Sequence, residues 1–234
     1  RSTLFPYTTL FRSAKVPMLE PADSQECLSF TRLAFELSEQ FDTPVMLRSC
    51  TRISHGKSVV ELGERISGLP APRLVKDAPK LVMLPGNARV RHPLVEGRSL
   101  KLSVYGDTQP INRVELRSAE IGVICAGVTY QYVREALPDA SVLKLGMVWP
   151  LPCDLIREFS SKVNQLFVVE ELDPFIEDQV KAMGINCRGK GLTSLCGELS
   201  PGRIRDAFVK AGVIEAPAAD TAMVEPVPPR PPHM

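Results

Sequence analysis

Three places along the chain put reactive side chains at spacings that chemistry can use. The densest is Arg48-Ser-Cys-Thr-Arg-Ile-Ser-His55. A guanidinium offers a planar fork of donors that suits a carboxylate, and a histidine exchanges protons near neutral pH. If the strand that enters this stretch continues through it, Arg48 and Arg52 share a face, because side chains on a strand alternate with period two. Arg48, Arg52, Ser54 and His55 are therefore the candidates for a substrate pocket or an interface. A strand end facing solvent or a partner subunit accounts for them equally well. The second place is Ala126-Gly-Val-Thr-Tyr130, where a strand meets a helix N-terminus. Such turns can hold phosphate through backbone amides. Neither G-x-G-x-x-G nor G-x-x-x-x-G-K-[ST] is present, so a glycine required by a tight turn is the simpler explanation. The third is Glu170-Glu171 at the end of a strand. Carboxylates there can overhang a ligand crevice, or they can cap neighbouring helices and loop amides.

Other chemistries find no support. No G-x-S-x-G elbow, H-E-x-x-H pair or kinase set occurs. The cysteines are Cys27, Cys50, Cys125, Cys153, Cys187 and Cys196, and none forms a C-x-x-C pair that would point to zinc or an iron–sulfur cluster. Cys50 and Cys125 sit in apolar stretches and read as small core residues. Scattered thiols of this kind fit a reducing cytoplasm. His92 and His233 have no partner in sequence and read as surface residues.

The elements that must position these groups follow from periodicity. Asp23-Ser-Gln-Glu26 is a capping box. Phe30, Leu33, Leu37 and Phe41 then repeat at helical spacing, which predicts a helix with one apolar face. Thr43-Pro44 ends it, and Val45 to Thr51 reads as a strand. Residues 56–80 are broken by glycine and proline, with Val59-Val60 as a short strand. Asn87 to Gly106 reads as partly helical. From Glu120 onward strands and helices alternate. Strands are predicted at 121–125, 141–145 and 165–170, with a short fourth at 185–187. Helices are predicted at 128–137 and 153–163, after Asp173-Pro174 with Asp173 as cap, and from Pro201 to the stop at Gly212. This alternation predicts a parallel sheet covered by helices.

Composition sets the wider limits. Of 234 residues, 44% are hydrophobic and 24% charged, enough to bury a core. With 28 Lys and Arg against 27 Asp and Glu, the net charge of +1 provides no field for nucleic acid or an anionic membrane. No apolar run is long enough to span a bilayer. The opening stretch, Arg1 to Ser13, lacks the apolar core and cleavage site of a signal peptide. It resembles the translation of a sequencing-library adapter, and residues 1–13 are set apart as an artefact. At the other end, six prolines lie between Pro217 and Met234. That density predicts an extended linker over 214–234 leading to a further domain.

Taken together, several stretches resemble the 2-oxoacid:ferredoxin oxidoreductases. They are Asp23-Ser-Gln-Glu26, Ala34 to Val45 and Thr51-Arg-Ile-Ser-His55. Asn87-Ala-Arg-Val-Arg-His-Pro93, Gly127-Val-Thr-Tyr-Gln-Tyr-Val133, Leu143-Lys-Leu-Gly-Met147, Pro150-Leu-Pro152, Val168 to Glu177 and Gly197-Glu-Leu-Ser-Pro201 resemble the indolepyruvate branch. The resemblance implies an α/β fold in which residues 14–56 end a thiamine pyrimidine-binding domain. Residues 57–117 connect it to a parallel-sheet domain like the C-terminal domain of transketolase at 118–213. It also implies a parent enzyme that decarboxylates aryl pyruvates oxidatively, with coenzyme A and ferredoxin. Thiamine diphosphate, Mg2+ and a 4Fe–4S cluster would serve that parent, whose partners would be a beta subunit, ferredoxin and a second alpha subunit. No G-D-G…N signature or cysteine cluster is present, so none of these cofactors is expected to bind this stretch tightly, and no catalytic residue is carried over. Two alternatives remain at this point: a related enzyme with another 2-oxoacid, and a non-catalytic α/β interaction module. The first αβ unit, cut from its sheet, is expected to expose apolar faces of the helix 24–41 and the strand 45–51.

Overall fold

Helix α1, Ser24–Phe41, begins at the predicted capping box. The Asp23 carboxylate accepts the amide of Glu26 at 2.8 Å, and the Glu26 carboxylate reaches back to the amide of Ala22 at 2.8 Å. The helix stops because Asp42 turns left-handed, with φ 51°, and its amide returns to the Ser38 carbonyl. The computed structural model describes residues 12–64, 68 and 75–216. The greater part of the 1–13 stretch and of the proline-rich 214–234 stretch lies outside the described residues, as does His233.

Among the described residues, two sheets organise the fold. The smaller runs β2 (Met46–Leu47), β1 (Met18–Leu19), β6 (Met147–Trp149), with β1 parallel to β2 and antiparallel to β6. The larger has the order β3 (Arg113–Glu115), β5 (Ala140–Leu145), β4 (Ser118–Ala126), β7 (Gln165–Val169). Its β5, β4 and β7 strands are parallel, but β3 joins the edge antiparallel, so the sheet is mixed rather than purely parallel. Beyond the far edge, the predicted strand at 185–187 reduces to one bridge, Phe167 to Arg188.

Alternation along the strands feeds two cores, as period two requires. Ile124, Leu143, Leu145, Leu166 and Val168 face α6 (Cys153–Ser161) and α7 (Phe175–Ala182) through Ile156, Phe159, Ile176 and Val180. Val123, Cys125, Val142, Phe167 and Val169 face α5 (Val128–Ala136) and α8 (Pro201–Lys210) through Val133, Ile204 and Phe208. Asp173 does not cap α7, whose N-cap is Pro174. The Glu170 carboxylate takes that place, accepting the amides of Ile176 and Glu177 at 2.8 and 3.0 Å.

The middle of the chain departs most from expectation. Val59-Val60 forms no strand, and Val59 is 96% exposed. After α3 (Ala78–Leu81), one helix, α4 (Pro85–Thr108), runs through the whole stretch read as partly helical. It lies over the first αβ unit. Phe30 and Leu37 of α1 are buried with Leu19, Leu102, Ile111 and Met147, so the apolar face of α1 is covered rather than exposed. Asn112 locks this arrangement. Its Nδ2 donates to the Gly106 carbonyl, and its Oδ1 accepts the amides of Gly146 and Met147 at 2.9 and 3.0 Å. Residue 146 must be glycine, since a β-carbon there would lie 2.3 Å from the Ile111 carbonyl.

A buried ion pair joins α1 to the larger sheet. Lys144 on β5 is 1% exposed, pairs with Glu26 and lies 4.7 Å above the Phe30 ring. Burial holds its ammonium below the ordinary lysine range, and the Glu26 carboxylate opposes that shift.

Candidate functional site

A crevice of about 640 Å³ opens at the carboxyl ends of β4 and β7, between them and the 48–52 segment. This is the position where open α/β sheets accept ligands. Its floor is fixed by Thr129, whose hydroxyl donates to the Ala126 and Val169 carbonyls at 2.6 and 3.2 Å and so ties the two strand ends together. Its walls carry Glu20, Glu170, Glu171 and Glu198 against Arg48 and Arg52.

The arginines are not arranged as strand periodicity predicts. Strand β2 ends at Leu47, and the Arg48 amide donates to the Leu19 carbonyl at 2.8 Å. Beyond Leu19 the neighbouring chain leaves, since the Glu20 amide goes to Gly146. With no strand left to pair, Thr51–His55 closes into the short helix α2. Arg48 and Arg52 therefore enter the crevice from a turn and not from one face of a strand. Arg48 pairs with Glu20 at 3.1 Å, half-buried. Arg52 pairs with Glu198 at 2.6 Å, with both side chains more than half exposed. Ser54 contacts Ser49 at 3.0 Å and, like His55, is exposed; neither lines the crevice. Cys50 is half-exposed on the crevice wall rather than a core residue, whereas Cys125 is fully buried and burial pushes its thiol up to about 12.

The two glutamates at the end of β7 divide their work. Both oxygens of Glu170 are engaged by the amides of α7. Burial nonetheless pushes its carboxyl up to about 7, against those amides and Lys190. Of the two uses open to it in sequence, it performs the capping one. Glu171 lines the crevice, and its carboxylate accepts the Leu199 amide at 3.3 Å. Glu20 and Glu198 were not singled out in sequence as site residues. Each stands far along the chain from its partner, and no local spacing marks it.

Gly127 shows why this helix terminus does not act as a phosphate cradle. Its φ of 55° requires glycine, and a β-carbon there would lie 2.7 Å from Glu20 Oε1. The Glu20 carboxylate thus occupies the approach to α5 that an anion would need. Burial raises its carboxyl, with Arg48 opposing and Glu171 reinforcing the rise. Among the described residues no group of three or more His, Cys, Asp or Glu could hold a metal ion. Both arginines of the crevice are already paired with its glutamates, so neither is free to receive a diphosphate. The residues present therefore do not fit magnesium thiamine diphosphate or a 4Fe–4S cluster, and no step is derived through either. No described helix is long and apolar enough to cross a membrane.

Comparison with known proteins adds a second line. No protein-family model matches the chain. It is 39% identical over 183 residues to indolepyruvate oxidoreductase subunit IorA of Methanothermobacter thermautotrophicus, covering 76% of this chain and 30% of that protein. It is 36% identical over 240 residues to the IorA subunit of Archaeoglobus fulgidus, covering 94% of this chain and 38% of that protein. The chain thus spans about a third of the length of these curated relatives, 30% of one and 38% of the other. Among solved structures, 2-oxoglutarate:ferredoxin oxidoreductase from Magnetococcus marinus superposes with a TM-score of 0.62 at 19% identity, over 85% of this chain and 42% of that one. That likeness concerns the fold.

Proposed function

Because the chain belongs to the 2-oxoacid:ferredoxin oxidoreductase family, as a segment homologous to the IorA subunits, we propose that it is a framework part of an enzyme that oxidatively decarboxylates aryl pyruvates, indolepyruvate among them. Coenzyme A is the acyl acceptor and ferredoxin the electron acceptor of that whole enzyme. The single observation behind the substrate is the match to an indolepyruvate oxidoreductase subunit over 94% of the chain.

Within that enzyme the proposed division is residues 14–56 as the end of a pyrimidine-binding domain, 57–117 as connection, 118–213 as a transketolase-C-terminal-like domain and 214–234 as a linker. Thiamine diphosphate, Mg2+ and the 4Fe–4S cluster are assigned to other parts, in keeping with the donor set of the crevice. Arg48 and Arg52 act here as fasteners. Through Glu20 and Glu198 they hold the 48–52 turn against the ends of the larger sheet. Ser54 and His55, exposed on α2, are offered to a neighbouring subunit.

The test is substrate preference in the whole enzyme, reconstituted from the full-length subunit that contains this segment together with its beta subunit. Indolepyruvate with coenzyme A should reduce ferredoxin with a kcat/KM at least about tenfold above that for 2-oxoglutarate, the scale a pocket can discriminate. A preference for 2-oxoglutarate or another aliphatic acid would overturn the assignment while leaving the family intact.

A further inference from the structure

We infer that Lys80, Arg91 and Arg98 form a binding site for a phosphate dianion, free or as the terminal group of a small phosphate ester. The three side chains come from two helices and converge on one carboxylate. Asp42, left-handed at φ 51°, stands just past the last turn of α1. Lys80 of α3 donates to its Oδ1, and Arg91 and Arg98 of α4 approach its Oδ2 through Nη2 at 3.6 and 3.7 Å. Arg91 and Arg98 are two turns apart and so share one side of α4. None of these residues lines the crevice.

Asp42 does not satisfy the two arginines. Both contacts are longer than a hydrogen bond, and neither guanidinium donates to any other described residue. Their side chains are nonetheless only 24% and 15% exposed. Arginines packed this closely ordinarily have their donors taken. Arg134, 14% exposed, shows the ordinary case: its guanidinium donates to the carbonyls of Ala140 and Pro138. At Arg91 and Arg98 the stems are packed and the forks stay open. A guanidinium held in place loses little freedom when it takes a ligand.

Charge identifies the class of ligand. Three cations share one carboxylate, an excess of two positive charges, and among the described residues no second carboxylate pairs with any of the three. A phosphate dianion cancels that excess, and its oxygens match the donors of two guanidinium forks. The same neighbours, Lys80 foremost, hold the Asp42 carboxyl below the usual carboxylate range. Asp42 therefore stays ionised and competes with an incoming anion. The site is independent of the substrate proposed above.

Calorimetric titration of the full 234-residue chain with inorganic phosphate and with adenosine monophosphate tests it, in low salt where ionic attraction is least screened. Phosphate should bind with a Kd on the order of 1 mM. Arg91→Gln and Arg98→Gln should each weaken binding at least about tenfold. Arg157→Gln, at an exposed pair on α6, should leave it unchanged. Asp42→Asn should tighten binding about tenfold by removing the competing charge, while asparagine keeps the left-handed turn. Adenosine monophosphate bound as well as phosphate assigns the site to esters; phosphate bound and the nucleotide refused assigns it to the free ion. Circular dichroism melts that match the parent separate lost binding from lost fold. No binding at about 10 mM phosphate would overturn the proposal and leave the cluster to neutralise the carboxyl end of α1. Arginine variants that bind like the parent, or an Asp42→Asn variant that binds no tighter, would overturn it too.

Discussion

Two joints hold the first αβ unit to the larger sheet, and they use the same chemistry in opposite settings. At one, Lys144 and Glu26 pair in the core, beneath α1 and against the ring of Phe30. At the other, Arg52 and Glu198 pair across the rim of the crevice, each more than half exposed. The buried pair has given up water and depends on its partner; the rim pair competes with water throughout. The inner joint therefore sets how α1 sits on β5, while the outer one only trims the crevice mouth.

Breaking the inner joint should have the largest effect. Lys144→Ala strands the Glu26 carboxylate and opens space under α1, with an expected loss of about 3–5 kcal/mol in urea denaturation. Replacing both partners, Lys144→Met with Glu26→Gln, should recover most of it, because no buried charge is then left alone. A double variant as unstable as the single one would show that the pair is not the hinge of this joint.

Glu170 lies between the extremes: its carboxyl is buried at the crevice but held by α7. Its folded-state pKa of about 7 lies above the ordinary 4.5. A carboxyl raised on folding lends its stability below pH 4.5 and loses it as pH climbs towards 7. The loss over that window is at most about 3 kcal/mol. Glu170→Gln should remove this slope from the pH–stability curve. An identical slope in the variant would show that Glu170 does not titrate there.

The smallest effect belongs to the rim. Arg52→Ala or Glu198→Ala should leave the denaturation midpoint where it was, since exposed pairs add little. A clear drop would mean that the crevice mouth is part of the core after all.

The sequence foretold these elements unevenly, for physical reasons. The capping box, the long strands and the α6 and α8 faces are local patterns, and they stand where periodicity puts them. Strands β1, β3 and β6 are two or three residues long and exist only because a distant strand pairs with them. The turn at Thr51–His55 has the same origin, since a strand cannot continue where its neighbour has left. The cap of α7 comes from Glu170, six residues before the amide it accepts, and Asp173 beside it is the more obvious but unused choice. Lysine in a buried strand reads as an error of pattern until Glu26, 118 residues away, is placed beside it. The crevice was half legible: Arg48, Arg52 and the glutamates of β7 were in view, but Glu20 and Glu198 were not.

Gly146 gives the two ends of the molecule a short line of transmission. The Gly106 carbonyl at the end of α4 holds Asn112, Asn112 holds the Gly146 amide, and the Gly146 carbonyl holds the amide of Glu20. The helix that covers the first αβ unit and the residue whose carboxylate lines the crevice are thus three hydrogen bonds apart. The middle link has no side chain and no room for one. Leverage applied to the outside of α4 has a direct mechanical path to the crevice, without passing through the hydrophobic cores on either face of the sheet.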